Sequence, residues 1–229
     1  MRSCYTGLLL LLCAGCASEP KPEIRTVPDA LAKIEAAAED AYDAAVASDV
    51  GTVSTDATAI SESWAGFRAQ AASDGAQDVD LQAMDSAVSG LTDAVANPSS
   101  DVELARTANA VSDPIARLYA VYKPTVPATL NELDYLGREV ALDGMQPDLA
   151  RASQDIDRVD AVWAPFRGTV ASTGSEKDAQ TFDDSITAER SAADAQDAAL
   201  LVQKANAQLD KVDVLEQIFV KAAQADAPD

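Results

Sequence analysis

Histidine is absent from this 229-residue chain, and its three cysteines all fall at positions 4, 13 and 16. Without histidine the chain lacks the commonest general base and the commonest transition-metal ligand. Ser-His-Asp triads, His-rich metal sites and covalent haem of the Cys-x-x-Cys-His type are excluded, and acid–base work falls to carboxylates. No thiol follows residue 16, so no disulfide can staple the remainder and stability rests on packing. Aromatics are scarce at 5%, and basic residues scarcer than acidic ones: 17 Lys+Arg against 38 Asp+Glu leave a net charge of −21. Such a surface repels nucleic acid and anionic lipid headgroups and favours cations or basic partners. The acids are spread along both halves with no acidic tail, as solubility in a salty habitat would also require. Phosphate-cradling glycine loops and nucleophile elbows are missing. The apolar run Leu8–Leu12 is too short for a permanent membrane span.

What is present begins at the N-terminus. Met1-Arg2 give a positive start, Leu8–Leu12 an apolar core, and Cys13-Ala14-Gly15-Cys16 an exit of small residues before a cysteine. That order describes an export signal. Its ending resembles the lipobox of bacterial lipoproteins, with Cys13 at a position more often Leu. The resemblance covers residues 1–16 and implies that residues 1–15 are removed and that Cys16 is lipidated as the first residue of the mature protein. Cys4 and Cys13 would leave with the signal. Several acyl chains, each adding ~0.8 kcal/mol per buried methylene, make such attachment effectively permanent. Ala17, rather than Asp, then implies the outer membrane, facing the periplasm. A secretory signal without lipid and a short anchor helix are the alternatives. Residues 16–28 read as a tether stiffened by Glu19-Pro20-Lys21-Pro22-Glu23.

The remainder is written twice. At an offset of 99, Leu31 meets Leu130, Asp49 meets Asp148 and Asp56 meets Asp155. Trp64-Ala65-x-Phe67-Arg68 meets Trp163-Ala164-x-Phe166-Arg167, and Asp85-Ser86 meets Asp184-Ser185. Further on the offset shrinks to 97, where Ala108-Asn109-Ala110 meets Ala205-Asn206-Ala207. Two residues lost before the last helix would account for the slip. Self-similarity at a fixed period signals a repeated structural unit.

Each unit reads as four helices. Val50, Val53, Ala57, Ile60, Trp64, Phe67 and Ala71 alternate steps of three and four, as do Leu149, Ala152, Ile156, Val159, Trp163, Phe166 and Val170. Such spacing keeps one seam facing neighbouring helices. Shorter stripes run through Leu31–Tyr42, Leu81–Val95, Leu104–Tyr122 and their counterparts in the second unit. Asn97-Pro98-Ser99-Ser100-Asp101 ends one helix and starts the next, with Asp101 as the expected N-cap. Asp113-Pro114 predicts a split or kink in the fourth helix. Lys123-Pro124-Thr125-Val126-Pro127 separates the units. The expected fold is all-α: two tandem up-down-up-down four-helix bundles related by internal duplication, spanning 29–122 and 128–225 with a linker at 123–127.

The repeated pentapeptide is the candidate site. Gly66 and Pro165 interrupt the helix between Trp-Ala and Phe-Arg, and a bend with a freed carbonyl beside Trp64, Phe67 and Arg68, or Trp163, Phe166 and Arg167, offers a place for a small ligand. The simpler reading makes the aromatics core and pairs the arginines with carboxylates, Asp85 and Asp184 being the expected partners of Arg68 and Arg167. The acids Asp155-x-Asp157-x-x-Asp160, Asp183-Asp184 and Asp78-x-Asp80 lack the loop that calcium needs, so no specific metal site is assigned. Weak, diffuse binding of divalent cations is expected. No cofactor and no catalytic residue are assigned. The functional expectation is a non-enzymatic, exported, lipid-anchored module that contacts the membrane through its N-terminal lipid and a protein partner through its helices. The second reading is a ligand- or cation-binding protein with one site per unit.

Overall fold

Apolar stripes with three- and four-residue steps fold as helices whose seams must find one another. The computed structural model describes residues 26–225. The export signal and lipidation site at Cys16, with most of the tether, lie outside the described residues. The helices are α1 (Asp29–Val46), α2 (Val50–Asp74), α3 (Asp78–Ala96), α4 (Asp101–Tyr119), α5 (Ala128–Met145), α6 (Leu149–Thr173), α7 (Glu176–Asp194) and α8 (Ala198–Ala225), with a 3-10 turn at Ala120–Tyr122 after α4. No strand occurs among the described residues, so the fold is all-α. None of these helices is long and apolar enough to cross a membrane.

Short turns return the chain on itself. α1 packs on α2 and α4, and α3 closes the group against α2 and α4. α5 likewise packs on α6 and α8, with α7 between them. One core gathers Leu31, Ile34, Ile60, Trp64, Phe67, Met84 and Leu118; the other gathers Leu130, Leu133, Ile156, Trp163, Phe166, Phe182 and Leu215. The predicted stripes supply both cores, with Val50 alone among the α2 stripe exposed at the helix start. Small residues let the helices approach closely. A Cβ added at Gly137 or Gly144 on α5 would lie 2.8 Å from Leu209 Cδ2 or 2.7 Å from Val202 Cγ2 of α8.

The turns hold two corrections to the expected register. Gly75 ends α2 in the left-handed region at φ 107°, a conformation that glycine adopts without a Cβ clash. Two residues, Ala76 and Gln77, follow it before α3, whereas only Ser175 lies between Gly174 and α7. The next turn is likewise one residue shorter in the second half, 195–197 against 97–100. The two-residue slip is therefore taken in two steps, and α7 stands 98 residues after α3. Ser100, not Asp101, caps α4: its Oγ accepts from the Glu103 amide at 3.2 Å. Asp101 instead sits in the first turn, where it accepts from the Ser48 hydroxyl at 2.5 Å.

The two prolines do not break their helices. α4 runs continuously through Pro114, so the split expected at Asp113-Pro114 is absent. Buried Pro114, Ile115 and Leu118 anchor this turn, while Arg117 holds Asp113 at 3.0 Å and Asp80 of α3 at 2.6 Å. α6 is also continuous through Pro165. Pro165 and Ala161 are both exposed, so water can bond the carbonyl that the proline leaves free.

The groups meet along α4 and α5. Leu142 of α5 belongs to the first core rather than the second. α5 is thus buried on two sides, and the Pro-containing segment 123–127 is a corner between packed helices.

Candidate functional site

The Trp-Ala-x-Phe-Arg segments lie on α2 and α6, one turn of helix bringing Trp and Arg to the same edge. Trp64 Nε1 donates to Asp85 Oδ1 of α3 at 2.7 Å. Arg68 grips the same carboxylate, Nε to Oδ1 at 2.9 Å and Nη2 to Oδ2 at 2.8 Å. Charge-assisted forks of this kind combine strength with fixed geometry. The Arg68 hydrogen bond holds the Asp85 carboxyl below its ordinary range, with the Trp64 bond acting in the same direction against desolvation.

The second half repeats the clasp with a different aspartate from the one expected. Trp163 Nε1 donates to Asp183 Oδ1 at 2.6 Å and Arg167 Nε to Asp183 Oδ2 at 2.7 Å. Asp184 instead accepts from Gln180 Nε2 at 2.9 Å on the exposed face of α7. The missing residue in the α6–α7 turn moves the partner back by one position, because one residue rotates a helical side chain by about 100°. Arg167 also reaches Glu176 at 2.6 Å.

Both indoles are core residues, 4% exposed for Trp64 and 2% for Trp163. Trp64 meets Phe67 edge-on at 6.2 Å, and Trp163 meets Phe166 edge-on at 6.2 Å and Phe182 at 4.3 Å. The clasp therefore joins α2 to α3 and α6 to α7. A ligand at either segment has to compete with the aspartate already held by the indole and guanidinium.

A second constellation forms between the groups. Arg106 of α4 binds Glu139 and, at 2.8 Å, Asp143, both on α5. Arg151 of α6 reaches Glu139 at 3.0 Å and Asp143 at 3.4 Å. Asn109 Nδ2 donates to Glu139 Oε1 at 2.8 Å and to the Tyr135 carbonyl at 3.1 Å. Asp155, buried on α6, holds Arg158 at 2.8 Å. Burial pushes the Asp143 carboxyl up to about 7, against the lowering influence of Arg106.

Glu139, Asp143 and Asp155 bring carboxylate oxygens within 4.8 Å of one another, a set that could ligate a metal ion. Three guanidiniums already face these three carboxylates, so a cation entering here would have to displace one of the two half-exposed ones, Arg151 or Arg158. Of the acids grouped along α6 by sequence, Asp157 and Asp160 share one face and meet Arg190 of α7 at 2.6 and 3.7 Å, while Asp155 points to the joint.

Beside the joint, a cleft of about 380 Å³ is lined by Glu35, Glu39, Tyr119, Asn131 and Glu216. Glu35 accepts hydrogen bonds from Tyr119 of α4 and Asn131 of α5. Arg138 of α5 spans Asp134 at 2.5 Å and Glu39 of α1 at 3.1 Å, and its guanidinium lies 5.3 Å from the centre of the Tyr42 ring. Burial raises Glu35 to about 6 and Glu216 to about 7, with neighbouring carboxylates adding to each shift.

Sequence reasoning did not single out Arg106, Arg138, Glu139 or Asp143. Their usable signal on α5 was the run of charges Asp134, Arg138, Glu139 and Asp143 through its middle and later turns, inside a helix whose stripe already had enough apolar residues to fill one face.

Comparison with protein-family models, curated proteins and solved structures gives no match to this chain.

Proposed function

We propose that the chain is a non-enzymatic helical module tethered to a bacterial outer membrane on its periplasmic side, serving an envelope assembly as an adaptor or accessory subunit. The observation that carries this reading is the apolar run Leu8–Leu12 ending in Ala14-Gly15-Cys16. Lipid at Cys16 would confine the helices near the bilayer, and a net charge of −21 would keep them from lying on anionic headgroups while favouring a basic face on a protein partner. The absence of histidine and the capture of the buried joint carboxylates by arginines support a structural role over a catalytic one.

Common descent of the halves belongs to the same reading. It is supported by equal lengths of α1 and α5, α2 and α6, and α3 and α7, at 18, 25 and 19 residues, and by recurrence of the Trp–Asp–Arg clasp. Binding of one small ligand or cation per half stays the second reading. It requires Trp64 and Arg68, or Trp163 and Arg167, to release the aspartate between them.

Membrane fractionation tests the tether. Cys16→Ser is expected to move the protein from the membrane pellet to the soluble fraction after a high-salt wash that strips protein partners. Retention of the washed variant in the membrane would refute lipid anchoring.

A further inference from the structure

Glu189 of α7 and Gln208 of α8 are fully buried in the second core. Gln208 Nε2 donates to Glu189 Oε2 at 3.0 Å and lies 3.4 Å from the Ser185 hydroxyl, which itself donates to the Phe182 carbonyl at 2.6 Å. Two acceptors remain: Glu189 Oε1 and Gln208 Oε1 are buried without a hydrogen-bond partner. Rotating the amide gives no relief, since its oxygen would then face the carboxylate. At the matching helix positions of the first half stand Leu91, Val111 and Ala87. The same architecture therefore closes with apolar side chains there, and the polar trio is a feature of the second half alone.

Among the described residues none makes a counter-ion contact with Glu189. Lys211 of α8 gives its ammonium to the Ala207 carbonyl at 2.7 Å. Arg190 of α7 is bound to Asp157 of α6 at 2.6 Å and lies near Asp160. From α5, the nearby position is Gly137, where an added Cβ would lie 3.6 Å from Gln208 Oε1. An ionised carboxylate with one amide N–H for company in an apolar core is strongly disfavoured. A proton on Oε1 removes the charge and offers a donor to a pocket whose unpartnered acceptor is Gln208 Oε1.

We propose that Glu189 is held as the neutral carboxylic acid and that its proton acts as a pH-sensitive latch between α7 and α8. Burial pushes the carboxyl up to about 8, with the Gln208 bond, Lys211 and Arg190 lowering it only in part. The folded protein then keeps a proton that the unfolded chain releases from its ordinary value near 4.5. Between those limits the unfolded state binds fewer protons, so stability is highest in acid, falls as pH rises, and levels off once the folded form has also ionised.

The test follows unfolding of the second half by Trp163 fluorescence in a Trp64→Phe chain from pH 4.5 to 9. Glu189→Gln and Glu189→Leu are each expected to unfold less steeply with pH than the parent, so that their advantage in midpoint grows toward pH 8. Infrared difference spectra at pH 7 should assign a protonated-carboxyl carbonyl band to the parent that Glu189→Gln lacks. The proposal is overturned if that band is missing, or if both variants lose the same stability at every pH. An equal loss on Lys211→Met would then identify an ionised Glu189–Lys211 pair.

Discussion

Removing Arg106 should unfasten the two halves. Its side chain is 12% exposed and faces Glu139 at 3% and Asp143 at 0%, so Arg106→Met leaves two carboxylates in the joint with Arg151 as their only remaining guanidinium among the described residues. Breaking a buried ion pair from one side costs about 3–5 kcal/mol. Asn109 and the half-exposed Arg151 still reach Glu139, which places the loss near the lower end, about 3 kcal/mol. A solvent-exposed pair would cost about 1 kcal/mol or less. With two tryptophans, one per half, Trp64→Phe and Trp163→Phe chains report each half separately in urea. At ~1–3 kcal/mol per molar the expected shift is about 1–3 M, and the two reporters, coincident in the parent, should separate. The deficit should also shrink in acid. Burial raises Asp143 to about 7 even against the lowering influence of Arg106; without the arginine its carboxyl stands higher still above its unfolded value, so acid neutralises the carboxylate that the missing arginine no longer faces. A loss below about 1 kcal/mol that is equal at pH 5 and pH 8 would refute the joint as a buried ionic contact.

The register of the second clasp is tested by Asp183→Asn against Asp184→Asn. The first loses the carboxylate shared by Trp163 and Arg167 and should lower stability by about 1–3 kcal/mol; the second, on the exposed face, should stay within about 0.5 kcal/mol in thermal unfolding. Equal losses would contradict the observed pairing. The helix contacts are tested by a glycine pair. Gly144→Ala meets Val202 at 2.7 Å and the Ala198 carbonyl at 3.2 Å, and should destabilise by about 1–3 kcal/mol through overpacking. Gly66→Ala meets nothing within 4 Å on exposed α2 and should stabilise by about 0.5–1 kcal/mol through helix propensity. A stabilising Gly144→Ala would show that α5 and α8 are further apart than described.

Much of the fold could be read from residue spacing because each helix buries one stripe. Trp64, Phe67, Ile60 and Ala71, with Trp163, Phe166, Ile156 and Val170, all occupy the core positions that three- and four-residue steps assign them. Asp85 was legible as the partner of Arg68, since α2 and α3 are joined at the expected turn. Asp183 was not, because a single alignment offset cannot show in which turn a residue has been lost. The joint was hidden for a different reason. Periodicity assigns charged residues to water, yet α4 and α5 each present a second buried face, and there Glu139 and Asp143 are paired with Arg106 and with Arg151 of α6. Asp157 and Asp160 share one face toward α7, as their three-residue spacing indicates, whereas the turn of Asp155 toward the joint was not legible. Glu189 fell between Ile186 and Ala193 on a stripe that reads as merely weak; only side-chain placement shows it facing Gln208 in the core.

Lipid attachment is the claim from which the functional reading descends. Cells fed a clickable palmitate analogue, followed by capture of the chain and intact-mass measurement, test it most directly. The expected result is label on the parent, none on Cys16→Ser, and a mature chain beginning at Cys16. An unlabelled parent whose N-terminus lies elsewhere would contradict the account.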